Sequence, residues 1–547
     1  MTAAIPLLTI LLLGAFLLAL FLRDRVPAVA RHEATLIGIL AAVALLPHVA
    51  FVAREGFNLN EFFHYYVGTK YFPEVGYSGL YEATVVADYE DDPSSLDPDL
   101  QVRSLRSYQM EPRPSVIARA DAIRARFSPE RWEAFRRDIA YFREVDGVLW
   151  KVGESLQDHG YNGSPLVTAI LGGLARQPFL SSPRYIRLAA WLDVALVVLA
   201  GVILSFWVGP GTGALFIFLW AVNPFNDAAY TGGAYLRHLH LLALLVAILA
   251  YARGRMALSG GAFAVAGLLR VFPCILIAGL AVQNLIHRDR RLLLRRHAPL
   301  FAAVVATALI VIAATSLLHT PDGENAWVEF TQKISLHSQR LSVNVLGLSY
   351  LFFYKDDHNV AAIERAWEEG RAIDWAAEAG KTLAANRGPC LGVIAVLAAA
   401  LLVLLRRGRP DDGLFAGVVL VFACLHLAHY DYAVLALVPF IFPERRDALV
   451  ALTGFWIAVA AARFLPQAAA IPDFRFFVLS ALTALYFAVM LALRLRDRGA
   501  ASGGAGRSEA AVSPSRRGPP AIRRRPGGSG AARTPGPAGA GRTGIPA

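Results

Sequence analysis

Glu61, His64, Tyr65 and Tyr66 fall together in the segment FNLNEFFHYYVGTKYFPEVGYSGLY, residues 57–81. On a helix Glu61 and Tyr65 share a face and His64 borders it. A carboxylate beside an imidazole and a phenol can accept a proton from a hydroxyl nucleophile, so Glu61 is the candidate general base. The same stretch also fits an interfacial aromatic belt, with Phe62, Phe63, Tyr65, Tyr66, Tyr71 and Phe72 at headgroup level and Glu61 solvated.

A second polar cluster is DHGYNGSP at 158–165, with Asp158, His159 and Asn162 just ahead of a short apolar run, LVTAILGGLA. Polar side chains where a half-helix begins can point into a cavity; an ordinary Asn-Gly/Ser-Pro turn fits equally well. Cations and imidazoles follow. Arg237, His238 and His240 open one apolar run, and Arg270 closes another just before Val-Phe-Pro273. Lys333, His337 and Arg340 lie on one helical face and precede Ser342-Val-Asn344, while His426, His429, Tyr430 and Asp431 mark a late junction. Ionisable groups at membrane depth are costly and mark functional sites by default, although snorkelling at a helix end explains many single cases. Zinc is another use for His64, His426 and His429, but HxxH without HExxH is a weak metal signal. No metal ligand set is assigned, and a divalent ion is left as an option.

These groups must be held by membrane helices. Hydrophobic residues make up 56% of 547 and charged residues 17%, with a mean hydropathy of +0.46. A soluble fold of that composition would expose too much apolar surface. The expected class is therefore all-α, a polytopic transmembrane bundle of about 11–13 spans with extracytoplasmic helical loops. The spans lie near 3–22, 34–53, 185–207, 213–224, 236–252, 257–270, 272–286, 298–318, 390–405, 413–428, 430–443, 448–465 and 474–494. The pairs 257–270/272–286 and 413–428/430–443 can each be read as one broken helix. Basic turns at Arg23–Arg31, Arg253–Arg255, 287–297, 406–409, Arg445-Arg446 and Arg494 onward all fall on one side, which the positive-inside rule makes cytoplasmic. The first span reads as a retained anchor. The domains are then two spans (1–53), a long outer loop (54–184), spans (185–318), a second outer loop (319–389), C-terminal spans (390–498) and a tail (499–547). Cys274, Cys390 and Cys424 sit in or beside apolar runs and read as packing residues rather than a disulfide framework.

The net charge of +11 misleads, because the tail carries eight Arg against Glu509. Such a Gly/Pro/Ser/Arg tail cannot bury a core and reads as disordered. It suits anionic lipid headgroups, and without aromatic platforms it does not suit nucleic acid. Ser128-Pro129-Glu130 signals a helix start, and Trp132, Phe135, Ile139 and Phe142 form one apolar stripe after it. That amphipathic helix is expected to lie on the membrane or on the spans.

In this order the landmarks resemble the GT-C class of integral membrane glycosyltransferases, above all bacterial polyprenyl-phosphomannose-dependent mannosyltransferases. The resemblance runs over 57–443 on short motifs: Glu61 with His64-Tyr65-Tyr66, Gly79-Leu-Tyr81, Tyr161-Asn-Gly-Ser-Pro165, Arg270-Val-Phe-Pro273, Ser342-Val-Asn344 and His429-Tyr-Asp-Tyr432 leading to Leu437-Val-Pro439. Two departures stand out. The first-loop acid of that family is usually Asp, and the loop here carries an insertion at 88–150. The resemblance implies metal-independent or weakly metal-assisted transfer of a mannose-like sugar from a polyprenyl-phosphate donor to a lipid or glycan acceptor, with inversion. It implies a site on the outer face of a bacterial inner membrane. Glu61 would be the base, and Arg270 and Arg237 would hold phosphate with Lys333 or Arg340 assisting. His64, Tyr65, His429 and Asp431 would shape the pockets, with Asp158, His159, Asn162, His238 and Asn344 as further contacts.

A transporter or lipid flippase is the alternative, and a scaffold docking partners through its loops and basic tail is a third. Deletion of 499–547 separates the last from the others. We expect a tail-less chain to keep sugar transfer in membranes, whereas loss of all function on that deletion would support the scaffold.

Overall fold

The computed structural model describes residues 4–504 except 55, 94–98, 147–153, 180–181, 183–184, 227–230, 339–340, 369–373 and 443–444. Within them the chain is almost entirely helical, with two-residue and three-residue strands as the only sheet. The membrane helices are α1 (Ala4–Leu22), α2 (Glu33–Arg54), then after the first loop α6 (Leu192–Trp207), α7 (Pro210–Ala221), α8 (Leu239–Ala252), α9 (Met256–Leu269), α10 (Pro273–Ile286) and α11 (Arg290–Thr315). After the second loop come α13 (Arg387–Arg407), α14 (Asp412–Cys424), α15 (Arg445–Ala462) and α16 (Pro472–Gly504). Between α14 and α15, a 3₁₀ helix (His429–Leu437) runs into a short helix (Val438–Ile441).

Twelve of the thirteen expected spans coincide with α-helices, and the span at 430–443 is a 3₁₀ helix followed by a four-residue helix. Six helical segments, Ala4–Leu22, Glu33–Arg54, Ile186–Trp207, Arg290–Thr315, Arg387–Arg406 and Pro472–Arg496, are long and apolar enough to cross a bilayer. The protein is therefore a multi-pass membrane protein. On α11, Val305, Leu309 and Ile310 are more than half exposed, which makes sense only if lipid is the solvent there. Both doubtful pairs are separate helices. Arg270 is extended (φ −141°, ψ 133°) between α9 and α10, and Leu425 (φ −118°, ψ 151°) ends α14. α10 packs closely on α14 because Gly279 faces Gly413 and Gly417 backbone, where any Cβ would collide.

The basic turns gather at one end of the bundle. Arg288 N–H donates to Arg406 O (3.1 Å), the Tyr251 hydroxyl to Pro410 O (2.8 Å), and Arg494 to Asp412 Oδ1 (2.7 Å), while Arg446 pairs with Asp24. The helix α16 continues to Gly504, past the expected start of the tail; 505–547 lie outside the described residues.

The first loop packs its aromatic residues into a hydrophobic core shared with the neighbouring helix ends, and this corrects two expectations. Phe62, Phe63, Tyr66, Tyr71 and Phe72 are buried there, not spread in a headgroup belt. The helix α4 (Pro129–Asp146) does begin where Ser128 accepts the Arg131 N–H (3.3 Å). Its stripe, however, packs on α3 (Leu80–Asp91) and the loop's aromatic core, with Phe135 edge-on to Tyr71 at 5.0 Å. The apolar face found its partner within the loop, so no lipid surface is needed to bury it. A buried ion pair locks the arrangement. Lys70 Nζ donates to Asp138 Oδ2 at 2.6 Å, and the Tyr71 hydroxyl donates to the same oxygen at 2.9 Å.

The second loop, with α12 (Ala326–Ser338), closes on the first. Glu329 Oε1 accepts from Tyr77 N–H and the Ser78 hydroxyl, both at 3.2 Å, and Arg106 reaches Asp322 at 2.8 Å. Breaking the Lys70–Asp138 pair from one side strands a buried ammonium. Asp138→Ala should therefore lower stability by about 3–5 kcal/mol. Detergent-solubilised protein melting at an unchanged temperature would show that this pair is not sealed from water.

Candidate functional site

The start of the first loop is clamped to the turn before α8. Gly233, at φ +60°, lies so close to the Phe57 backbone that a Cβ would sit 2.8 Å from Phe57 Cα. Asn58 N–H donates to Gly233 O at 3.1 Å, and Asn58 Oδ1 caps the next turn by accepting Glu61 N–H at 3.0 Å. The chain then winds as a π-helix through Phe62–Val67, a departure from α-geometry that is frequent at functional sites. On the other side, Leu236 adopts φ +54°, a left-handed conformation that a branched side chain rarely takes. Together these features bring the Glu61 carboxylate onto the Arg237 guanidinium as an ion pair, with side-chain exposures of only 15% and 5%.

Arg237 is held on every side. Its backbone N–H donates to Asp193 Oδ2 at 3.0 Å, and its guanidinium stacks 3.8 Å above the Tyr430 ring. Asp193 also accepts His238 N–H (3.2 Å), and its Oδ2 lies 3.2 Å from His238 Nδ1. His238 Nε2 donates to Asn226 Oδ1 (3.2 Å). His238 therefore braces the Arg237 backbone rather than facing the cleft.

A pocket opens beside this pair, lined by Glu61, Tyr65, Asn162, Arg237, His240 and Arg270 among others. Its polar residues come from the first loop, the lead-in to α5 (Pro165–Ala175), the start of α8 and the break after α9. Ser164 caps α5 by accepting Val167 N–H (3.3 Å), the half-helix expected after Pro165. The Arg270 guanidinium has no hydrogen bond or ion pair among the described residues; its electrostatic neighbours are Tyr65, Asp431, Tyr430 and Glu61. Asp431 is buried within reach of Arg270 and Arg237. Two guanidiniums, Arg237 and Arg270, thus lie near two carboxylates, Glu61 and Asp431.

The other expected residues fall into two further groups. His64 is buried next to this site and shares a 2.7 Å hydrogen bond with the Tyr81 hydroxyl, with Asp158 Oδ2 4.0 Å from its Nδ1. Burial holds its pKa below the ordinary 6.5, against the pull of Asp158 and Glu61. His159 Nδ1 lies 3.3 Å from Asp158 Oδ1, and its ring meets His337 at 5.2 Å. Lys333 is buried where the loops join, with Nζ 4.7 Å from the Tyr108 ring centre, and it does not line the Glu61 pocket. Arg340 lies outside the described residues. Asn344 and His429 flank a two-stranded ribbon in which Val345–Leu346 pairs with Leu427–Ala428. There Asn344 O accepts His429 N–H at 2.9 Å, and the His429 ring packs on Phe476. His426 bonds to Ser349. Among the described residues no group of three or more His, Cys, Asp or Glu could hold a metal ion.

One contributor, Asp193, escaped the sequence reading, whereas His240 and Tyr430 were singled out there without an assigned role. Asp193 lies in an apolar run 44 residues before Arg237, so no local spacing connects them.

The buried ammonium of Lys333 has a measurable consequence. Burial pulls its pKa down to about 7, with Glu329 and Asp158 opposing. Its unfolded value is about 10.4, so above pH 7 the unfolded chain holds a proton that the folded chain lacks. Its burial thus costs most below pH 7, and stability rises with pH from there toward 10. Lys333→Met should raise the melting temperature at pH 6–7 and flatten its climb to pH 9. An unchanged pH profile in melting scans would place Lys333 in water. Compared with protein-family models, characterised proteins and solved structures, the chain matches none, so the geometry above is what bears on function.

Proposed function

We propose that the protein is a membrane glycosyltransferase that moves a mannose-like sugar from a polyprenyl-phosphate donor to a lipid or glycan acceptor. The observation that carries this reading is the meeting of Glu61, Arg237 and Arg270, from three distant parts of the chain, in one pocket between the spans and the loops. Arg270 receives the donor phosphate as the uncommitted cation, and Arg237 joins it. In the resting site Arg237 holds the Glu61 carboxylate in an ion pair. When the leaving phosphate draws on Arg237, the Glu61 carboxylate is released to take the acceptor hydroxyl's proton. The acceptor oxygen then bonds to the anomeric carbon as the carbon–phosphate oxygen bond breaks. The electron pair leaves on the phosphate, and the carbon is inverted.

The crowding of basic turns at the opposite end supports an outward-facing site in a bacterial inner membrane. Tyr65 and the aromatic first-loop core shield the reacting atoms from bulk water.

The test uses purified protein in detergent with a radiolabelled lipid-phosphate sugar. Glu61→Gln should lose about 10²–10⁴-fold in turnover, the usual contribution of a general base, while still melting cooperatively. Arg270→Ala should lose a comparable factor through the leaving phosphate. Full turnover by Glu61→Gln would remove Glu61 from the mechanism, and uptake of solute into vesicles without any sugar transfer would favour a transporter.

A further inference from the structure

The pocket beside Arg270 carries a second chemical signature that the phosphate reading does not use. His240 is 5% exposed, and its Nδ1 lies 3.1 Å from Arg237 O. A carbonyl oxygen can only accept, so Nδ1 carries the hydrogen, and Nε2 of the neutral ring is a bare acceptor. Among the described residues that Nε2 is buried without a hydrogen-bond partner, and His240 lines the pocket. Asn162 Oδ1, from the lead-in to α5, is likewise buried without a partner among them and lines the same pocket. A buried acceptor left unmatched is costly, and two in one cleft call for a ligand that supplies donors.

We propose that His240 Nε2 and Asn162 Oδ1 accept hydrogen bonds from hydroxyl groups of the sugar ring whose phosphate is held by Arg270. The inference rests on the phosphate reading above and adds the residues that select a polyol over a plain phosphate ester. The complementarity runs both ways. Arg270 offers N–H donors and needs an acceptor-rich anion, whereas His240 and Asn162 offer lone pairs and need O–H groups. Phe272 packs edge-on to the His240 ring at 5.7 Å, and with the bond to Arg237 O it fixes which nitrogen faces the cleft. The same carbonyl belongs to the residue paired with Glu61, so the hydroxyl acceptor and the ion pair are positioned by one turn of backbone. His240 is a substrate-orienting residue, and no proton transfer is assigned to it.

Equilibrium binding to the full chain in detergent separates the two claims. The probes are decyl phosphate, which has the anion and no sugar, and decyl phosphoryl-mannose, which has both. Wild type should bind the sugar-bearing probe about tenfold or more tighter, the size expected of matching a buried acceptor. His240→Phe should shrink that preference to under about threefold while leaving decyl phosphate affinity unchanged. His240→Gln, whose amide oxygen can stand near the Nε2 position, should recover part of it, and Asn162→Leu should lower it independently. Equal binding of both probes by wild type, or an undiminished preference in both His240→Phe and Asn162→Leu, would overturn this inference alone. Failure of wild type to bind decyl phosphate at all would overturn the phosphate reading and this inference with it.

Discussion

The pairing of Glu61 with Arg237 is the constraint from which the rest of the site follows. Neither group could be buried alone, because an isolated charge in so dry a place would cost several kcal/mol. Pairing them fixes the distance between the first loop and the start of α8, and hence where the cleft opens. The protein surrounds the pair with features that make no sense separately. Gly233 presses against the Phe57 backbone, Leu236 holds a left-handed conformation, and Asp193 accepts two backbone N–H groups from inside an apolar helix. Each is unfavourable or constraining by itself, and each serves to aim one guanidinium.

The loops supply the rigidity that the pair requires. Within the bilayer no hydrophobic drive holds helices in register, since lipid tails are as apolar as the side chains; outside it, where water is displaced, that drive operates. The first loop uses it in a hydrophobic core that includes Phe62, Phe63, Tyr66, Tyr71, Phe135 and Phe142, locked by the Lys70–Asp138 pair. The second loop then docks on it through Glu329, Arg106 and the Lys333 stem. The π-helix that carries Tyr65 is thus backed by packed aromatic rings, which explains how an irregular backbone persists at the mouth of the cleft.

Charge and hydrogen-bond capacity divide the cleft unevenly. Among the described residues, one wall presents the Arg270 guanidinium without a direct ion pair, and another presents acceptors without donors. A protein evolving toward stability alone would match such groups internally. That mismatch is the local inconsistency on which the proposed sugar-phosphate ligand rests.

Hydropathy and the placement of arginines determined by themselves that this chain is a helical membrane protein with two large loops. Backbone in lipid has almost no option but the helix, and the apolar runs record where lipid is. The capped start at Ser128, the half-helix after Pro165 and the break at Arg270 were also legible, because each depends on residues within a few positions. The partner of each charged side chain was not. Nothing local tells Glu61 that it faces Arg237, or separates His240 at the cleft from His238 behind it, two positions away on one strained turn. Nor does an aromatic stretch disclose whether it meets headgroups or a protein core. Those outcomes turned on which surfaces were adjacent after packing, since burial and electrostatic pairing act through space and carry no signature in sequence separation.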